Sequence, residues 1–182
     1  MQGVEQPPDS GIGSQNRAAS DRIYAGLVST APSTYQPPTA QCAIERTLTV
    51  VGERWSLLIL REAHAGVTRF ADFQANLGVA TNVLVTRLRK LVDAGVFEKR
   101  EYQVPGDRTR PEYHLTPSGR ELGLVLGALQ QWGDTYFPLP RGAVTQRSNR
   151  ATGKKVAVSF VDEHGAPIDV SQVRLDGPGP GG

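Results

Sequence analysis

A mainly helical α+β domain is what this sequence predicts, and three stretches carry the prediction. Residues 81–93 have helical periodicity, with Leu84, Leu88 and Leu91 on one stripe that Val92 widens. Val96–Val104 and Pro111–Leu115 read as two strands around a connector with turn chemistry in Pro105-Gly106-Asp107. Beyond them Leu122, Val125, Leu126, Leu129, Trp132 and Tyr136 recur at helical spacing in one long helix.

The elements follow in order. Residues 1–40 are rich in Gly, Pro, Ser, Gln and Thr and cannot bury a core, so they are expected to form a mostly disordered arm, in which Arg22–Val28 either forms a short ordered turn or packs on the domain. Residues 41–137 form the folded unit, opening with three helices at about 42–51, 54–65 and 69–77. Thr68 is the expected N-cap of the third, with Phe70, Phe73 and Leu77 facing inward. Gly78 stops that helix and Thr81 is placed to cap the next. Two helices joined by a short glycine-containing turn make a helix-turn-helix. A strand pair after the second helix, with Arg108 and Arg110 at its tip, makes a wing over 103–110. Thr116 is placed to cap the final helix and Pro117 suits its first position. Gly123, Gly127 and Gly133 weaken a lone helix, by about 1 kcal/mol each relative to Ala, and make sense where two backbones approach closely. Residues 138–182 are an extension with a β-hairpin at about 154–175, in which Lys154–Val161 and Ile168–Leu175 pair across Glu163-His164-Gly165, and a disordered Gly/Pro tail.

The helix at 81–93 points to DNA. Opposite its leucines lie Asn82, Thr86 and Arg89, flanked by Val85 and Lys90. Asn pairs with adenine, Arg with guanine, and small side chains meet the thymine methyl. Thr81 and Asn82 stand at the helix N-terminus, where backbone N–H groups favour phosphate or base-edge contact. Thr86 and Arg89 are the expected base readers, Lys90 and Arg69 the expected phosphate contacts, and Arg108 and Arg110 the wing's contacts to minor groove or backbone. Arg87 faces the core boundary, where an acid can pair with it.

Residues 42–137 resemble the HxlR-type transcriptional regulators, winged-helix proteins related to the MarR group. The likeness runs through Cys42-Ala-Ile-Glu-Arg46, Val51-Gly-Glu-Arg-Trp-Ser-Leu-Leu-Ile-Leu-Arg61 and Arg69-Phe-Ala-Asp-Phe73. It continues through Asn82-Val-Leu-Val-Thr-Arg-Leu-Arg-Lys-Leu91, Gly95-Val-Phe-Glu-Lys-Arg100 and Glu112-Tyr-His-Leu-Thr-Pro-Ser-Gly-Arg-Glu-Leu122. No single block is specific; their order and spacing are. The resemblance implies a homodimeric DNA-binding regulator, usually a repressor or dual regulator, that responds to a cellular signal. It implies a dimer built by the first helix, through Ile44 and Leu48, and by the long last helix. Most relatives begin near Cys42, so the resemblance leaves the role of the first 40 residues open. A two-fold dimer would place its recognition helices about 34–36 Å apart on a palindromic operator.

Composition fits this. The 182 residues suit one compact domain with arms, and the net charge is only +2. Between 80 and 110, Arg87, Arg89, Lys90, Lys99, Arg100, Arg108 and Arg110 face Asp93, Glu98, Glu101 and Asp107, a local net of +3. That excess suits site-specific binding better than indiscriminate coating of DNA. A single cysteine excludes an intrachain disulfide and fits a reducing compartment. With no leader pattern and no apolar run of membrane length, a cytoplasmic protein is expected.

Cys42 opens the first helix, where the family carries a cysteine that in several members senses oxidants or electrophiles. A helix N-terminus lowers a thiol's pKa, while Glu45 one turn away opposes this. A buried small hydrophobe is the competing reading. Trp55 is expected as a core anchor, or as part of an effector pocket with Phe70 or Trp132. Some longer relatives have cysteines in a hairpin extension that suggest zinc; here the extension has none, and His164 alone cannot make a four-ligand site, so neither metal nor cofactor is expected. His64, His114 and His164 form no triad or ligand spacing, and no phosphate loop or nucleophile elbow is present, which argues against an enzyme. The rival is a winged-helix module for protein contact, whose basic face binds an acidic partner.

Overall fold

The computed structural model describes residues 42–103 and 108–176. The expected N-terminal arm, the Gly/Pro tail and the wing tip Val104–Asp107 lie outside the described residues. The element order is α1 (Ala43–Val51), α2 (Arg54–His64), α3 (Phe70–Leu77), α4 (Thr81–Asp93), β1 (Phe97–Tyr102), β2 (Arg110–Leu115) and α5 (Pro117–Tyr136). Two short strands, β3 (Phe160–Val161) and β4 (Pro167–Ile168), and a 3-10 turn at Val170–Gln172 follow.

The chain divides into two compact units, one up to Glu121 and one from Leu122. The expected boundary after 137 therefore falls inside the second unit. Its cause is chemical: Pro138 and Pro140 end the helix, but the residues beyond hydrogen-bond back to α5 through Gln130 and Gln131.

In the first unit the periodicity of α4 places Leu84, Leu88 and Leu91 in the core with Ile59 and Leu60 of α2, Phe73 of α3 and Phe97 of β1. Phe73 meets Phe97 edge to face, with ring centroids 6.4 Å apart. Gly78 ends α3 in the left-handed conformation at φ 60°, a geometry that suits glycine and turns the chain into α4.

Two expected caps are corrected. The N-cap residues of α3 and α4 are Arg69 and Ala80, and neither side chain caps. Thr68 instead offers its carbonyl to the Tyr113 N–H at 2.8 Å, and the Thr81 hydroxyl accepts from Gln74 Nε2 at 2.7 Å. Both threonines thus join elements. Thr116 does cap α5: its hydroxyl oxygen accepts the Gly119 N–H at 3.2 Å, and its O–H donates to the Gly95 carbonyl at 2.6 Å. The tight approach along α5 lies at Gly119, where a Cβ would stand 2.2 Å from the Val96 carbonyl oxygen. Within the chain itself Gly133 has nothing within 4 Å of its Cβ position.

β1 and β2 pair antiparallel from Phe97↔Leu115 to Tyr102↔Arg110. Arg69 adds an antiparallel bridge to Glu112, so the segment before α3 borders the hairpin.

The second unit contains a hairpin, but not over 154–175. β3 and β4 pair through only two residues each, and a capping box on Asp169 draws Val170–Gln172 into a 3-10 turn in place of a returning strand. An additional turn, unforeseen in the sequence, brings 147–149 against 154–156: Ser148 bridges Lys155 and the Val156 N–H donates to the Arg147 carbonyl at 3.0 Å. Asn149 Oδ1 accepts the N–H groups of Ala151 and Thr152 and holds that turn. No helix among the described residues is long and apolar enough to cross a membrane.

Candidate nucleic-acid interface

Burial of the leucine stripe fixes which face of α4 meets solvent. Thr81, Asn82, Val85, Thr86 and Arg89 are exposed and Lys90 is half-buried. Val85 is 50% exposed, an apolar side chain left among polar ones where no core demands it. The Thr86 hydroxyl donates to the Asn82 carbonyl at 2.8 Å, which fixes its rotamer. Arg87, on the flank, pairs with Glu53 at 3.1 Å, as its position at the core boundary requires.

The wing is joined to the helix-turn-helix through a cluster that sequence reasoning missed. Arg69 Nε donates to Glu112 Oε1 at 3.0 Å, and His114 Nε2 lies 3.0 Å from Glu112 Oε2. The Arg69 guanidinium also lies 4.4 Å from the centre of the Tyr102 ring. Hydrogen bonding from Arg69 holds the Glu112 carboxyl below its ordinary range. Burial raises the Tyr113 phenol. The available signal was the alternation Glu112-Tyr113-His114, which puts the acid and the imidazole on the face opposite Tyr113. Arg69 thus meets a carboxylate through Nε. Arg108 and Arg110 are exposed beside the wing tip.

The remaining singled-out residues are dispersed. Cys42 is exposed and occupies the N-cap position of α1, which removes the burial its alternative reading needs. Ile44, at 68% exposure, and Leu48 leave an apolar strip on α1. Trp55 is half-buried beneath the Arg54 guanidinium, 5.2 Å from its ring centre; it is a partial anchor rather than a core residue. In the second unit Val125, Leu129, Trp132 and Tyr136 are exposed, whereas Leu126 turns inward at 7% and Leu122 is half-buried. Trp132 stacks with Tyr136 and Phe137 at 5.4 and 5.2 Å.

Comparison with known proteins gives a consistent picture. The family described as HxlR-like helix-turn-helix matches residues 50–140. An uncharacterized HTH-type transcriptional regulator of Mycobacterium tuberculosis, Rv3095, is 41% identical over 140 residues, covering 76% of this chain and 87% of the relative. YdeP of Bacillus subtilis, described in the same words, is 34% identical over 97 residues, covering 52% and 73%. Among solved structures, PA1607, described as a candidate transcription factor, superposes with a TM-score of 0.66 at 37% identity, covering 76% of this chain and 96% of that one. PA1374 of Pseudomonas aeruginosa, also a candidate transcription factor, gives 0.54 at 32% identity, covering 78% and 95%.

Proposed function

Because this chain belongs to the HxlR-like helix-turn-helix family of transcriptional regulators, we propose that it is a repressor that binds a palindromic operator as a homodimer, with α4 in the major groove. The observation that carries this is the solvent face of α4. Asn82 and Arg89 supply base-edge partners there, and Val85 and the Thr86 methyl supply apolar contacts for thymine. Thr81 and Lys90 meet phosphate at the two ends of the helix, and Arg108 and Arg110 follow the minor groove or backbone. Arg69 touches phosphate only through the edge that Glu112 leaves, and its larger role is to fix the wing.

The dimer rests on exposed apolar side chains. Ile44 and Leu48 on α1, and Val125, Leu129, Trp132 and Tyr136 on α5, lie at or above 41% exposure, and burying them against a second copy stabilises by roughly 25 cal/mol per Å² of apolar surface. Leu126 contributes from inside its own unit. Peroxide, converting the exposed Cys42 thiol to a sulfenic acid with release of water, is the signal that this surface chemistry admits.

Selection from a randomised duplex library at physiological salt is the test. A palindromic winner whose affinity falls steeply with salt supports the operator reading; no preferred sequence would leave a winged-helix module for protein contact. Repeating the winning site after peroxide, with and without Cys42→Ser, separates an oxidant signal from any other.

A further inference from the structure

The second unit contains a cavity of about 470 Å³, formed by α5 on one side and by residues 143–147 and 155–158 on the other. That volume lies within the range of about 300–1,000 Å³ that small-molecule sites occupy. Its shape comes from two helix positions without side chains and two glutamine clamps. Gly123 and Gly127 leave the helix surface open along the cavity. At Gly127 a Cβ would stand 2.9 Å from Val158 Cγ2 and 3.5 Å from Arg147 Nε, so any side chain there would crowd both. Gln131 holds Val158 through both its backbone groups, donating to the carbonyl and accepting the N–H at 3.1 Å each. Gln130 Nε2 donates to the Thr145 carbonyl at 2.9 Å.

The lining is amphipathic and carries an unmet charge. Arg147 Nε is buried and has no hydrogen-bond partner. Among the described residues no ion pair is recorded for Arg147, Lys155 or Asp134, the three charged groups of the lining. Two cations and one carboxylate leave the lining at +1. Leu124, Val156 and Val158 supply apolar wall beside them. Arg147 as a whole is half-buried in this lining, and a carboxylate meets a guanidinium with charge-assisted hydrogen bonds.

We propose that this cavity binds a small organic acid, with one carboxylate on Arg147 and an apolar aromatic or aliphatic body against Leu124, Val156 and Val158. Lys155, exposed at the rim, adds a point charge, and Asp134 selects against dianions. Gln130 and Gln131 hold the walls and do not need to move. The site is a ligand site of the second unit and is independent of the operator reading.

The test uses the full chain without DNA. Calorimetric titration with 1-naphthoate and decanoate is compared with the neutral 1-naphthamide. The acids are expected to bind, and the amide about tenfold more weakly, because it lacks the charge-assisted bonds. Arg147→Gln should weaken the acids about tenfold and leave the amide unchanged. Lys155→Met alters an exposed side chain and gives a smaller loss of the same selectivity, so it carries the test should Arg147→Gln fail to fold. The proposal is overturned if neither acid binds at millimolar concentration, if the amide binds as well as the acids, or if folded variants bind the acids as the parent does. A melting temperature that rises with protein concentration but ignores both acids would assign the cavity to a second copy, which also overturns it.

Discussion

Up to Glu121 the chain hides Ile59, Leu60, Phe73, Leu84, Leu88, Leu91 and Phe97 almost completely; from Leu122 onward Leu126 is the single large apolar side chain among the described residues that is buried. The first unit is held by interlocked apolar volume. The second is held by polar side chains that grip backbone: Gln130 and Gln131 on 145 and 158, Asn149 on its own turn, Asp162 and Asp169 on theirs. Val125, Leu129, Trp132, Tyr136 and Phe137 face outward instead. Such a unit is folded by hydrogen bonds worth about 1 kcal/mol each net, and its exposed face is available for partners.

That contrast can be broken from either side, and each unit has its own reporter, Trp55 in the first and Trp132 in the second. The largest effect belongs to Leu88→Ala, which should cost about 3–5 kcal/mol of first-unit stability. In a Trp132→Phe background, Trp55 fluorescence against urea should show the midpoint fall; an unchanged midpoint would mean that the α4 stripe is not the core. Next comes the solvent face of the same helix. Arg89→Ala should lose about 1–3 kcal/mol of operator affinity and relax selection at one base pair, whereas Arg108→Ala should weaken all sequences alike. Competition with mutated operators tells these apart, and equal losses everywhere for Arg89→Ala would assign it to phosphate.

A smaller change is expected in the second unit. Gln131→Ala removes both bonds to Val158 and should cost about 2 kcal/mol, followed by Trp132 fluorescence in a Trp55→Phe background; a loss at the top of the range expected for Leu88→Ala would refute the contrast. The smallest effect is one of pH. Because Arg69 lowers the Glu112 carboxyl, the latch contributes fully above the ordinary glutamate value of 4.5 and fades as pH falls through the lower folded value. Glu112→Gln should flatten that acid limb of the pH–stability curve and leave neutral pH little changed.

Much of the first unit could be read from sequence because its rules are periodic. Leucines spaced three and four apart specify a buried stripe whatever they pack against, so α4, its partners and the wing strands were legible. The polar face of α4 followed by subtraction. What was not legible depended on chemistry between distant positions. Thr68 and Thr81 look like caps locally, yet their oxygens meet Tyr113 and Gln74. Nothing in the local pattern around Arg69 shows that Glu112, 43 residues on, accepts a hydrogen bond from it. The second unit suffered most, since two-residue strands leave no alternation to detect, and Asp169 reads equally as turn or strand end. Of the α5 glycines singled out in the sequence, Gly127 meets a valine methyl and Gly133 nothing within the chain, while the tightest approach, to a carbonyl, lies at Gly119, which the sequence did not single out.

The bond from the Thr86 hydroxyl to the Asn82 carbonyl has a chemical consequence of its own. With its proton committed to the helix, Thr86 presents outward a methyl group and oxygen lone pairs, and no donor. Such a surface welcomes the exocyclic amino groups of adenine and cytosine and the methyl of thymine, and has nothing to offer the two acceptors of guanine. With α4 in the major groove as proposed, this intrahelical bond would make Thr86 a filter that disfavours guanine at the position it faces.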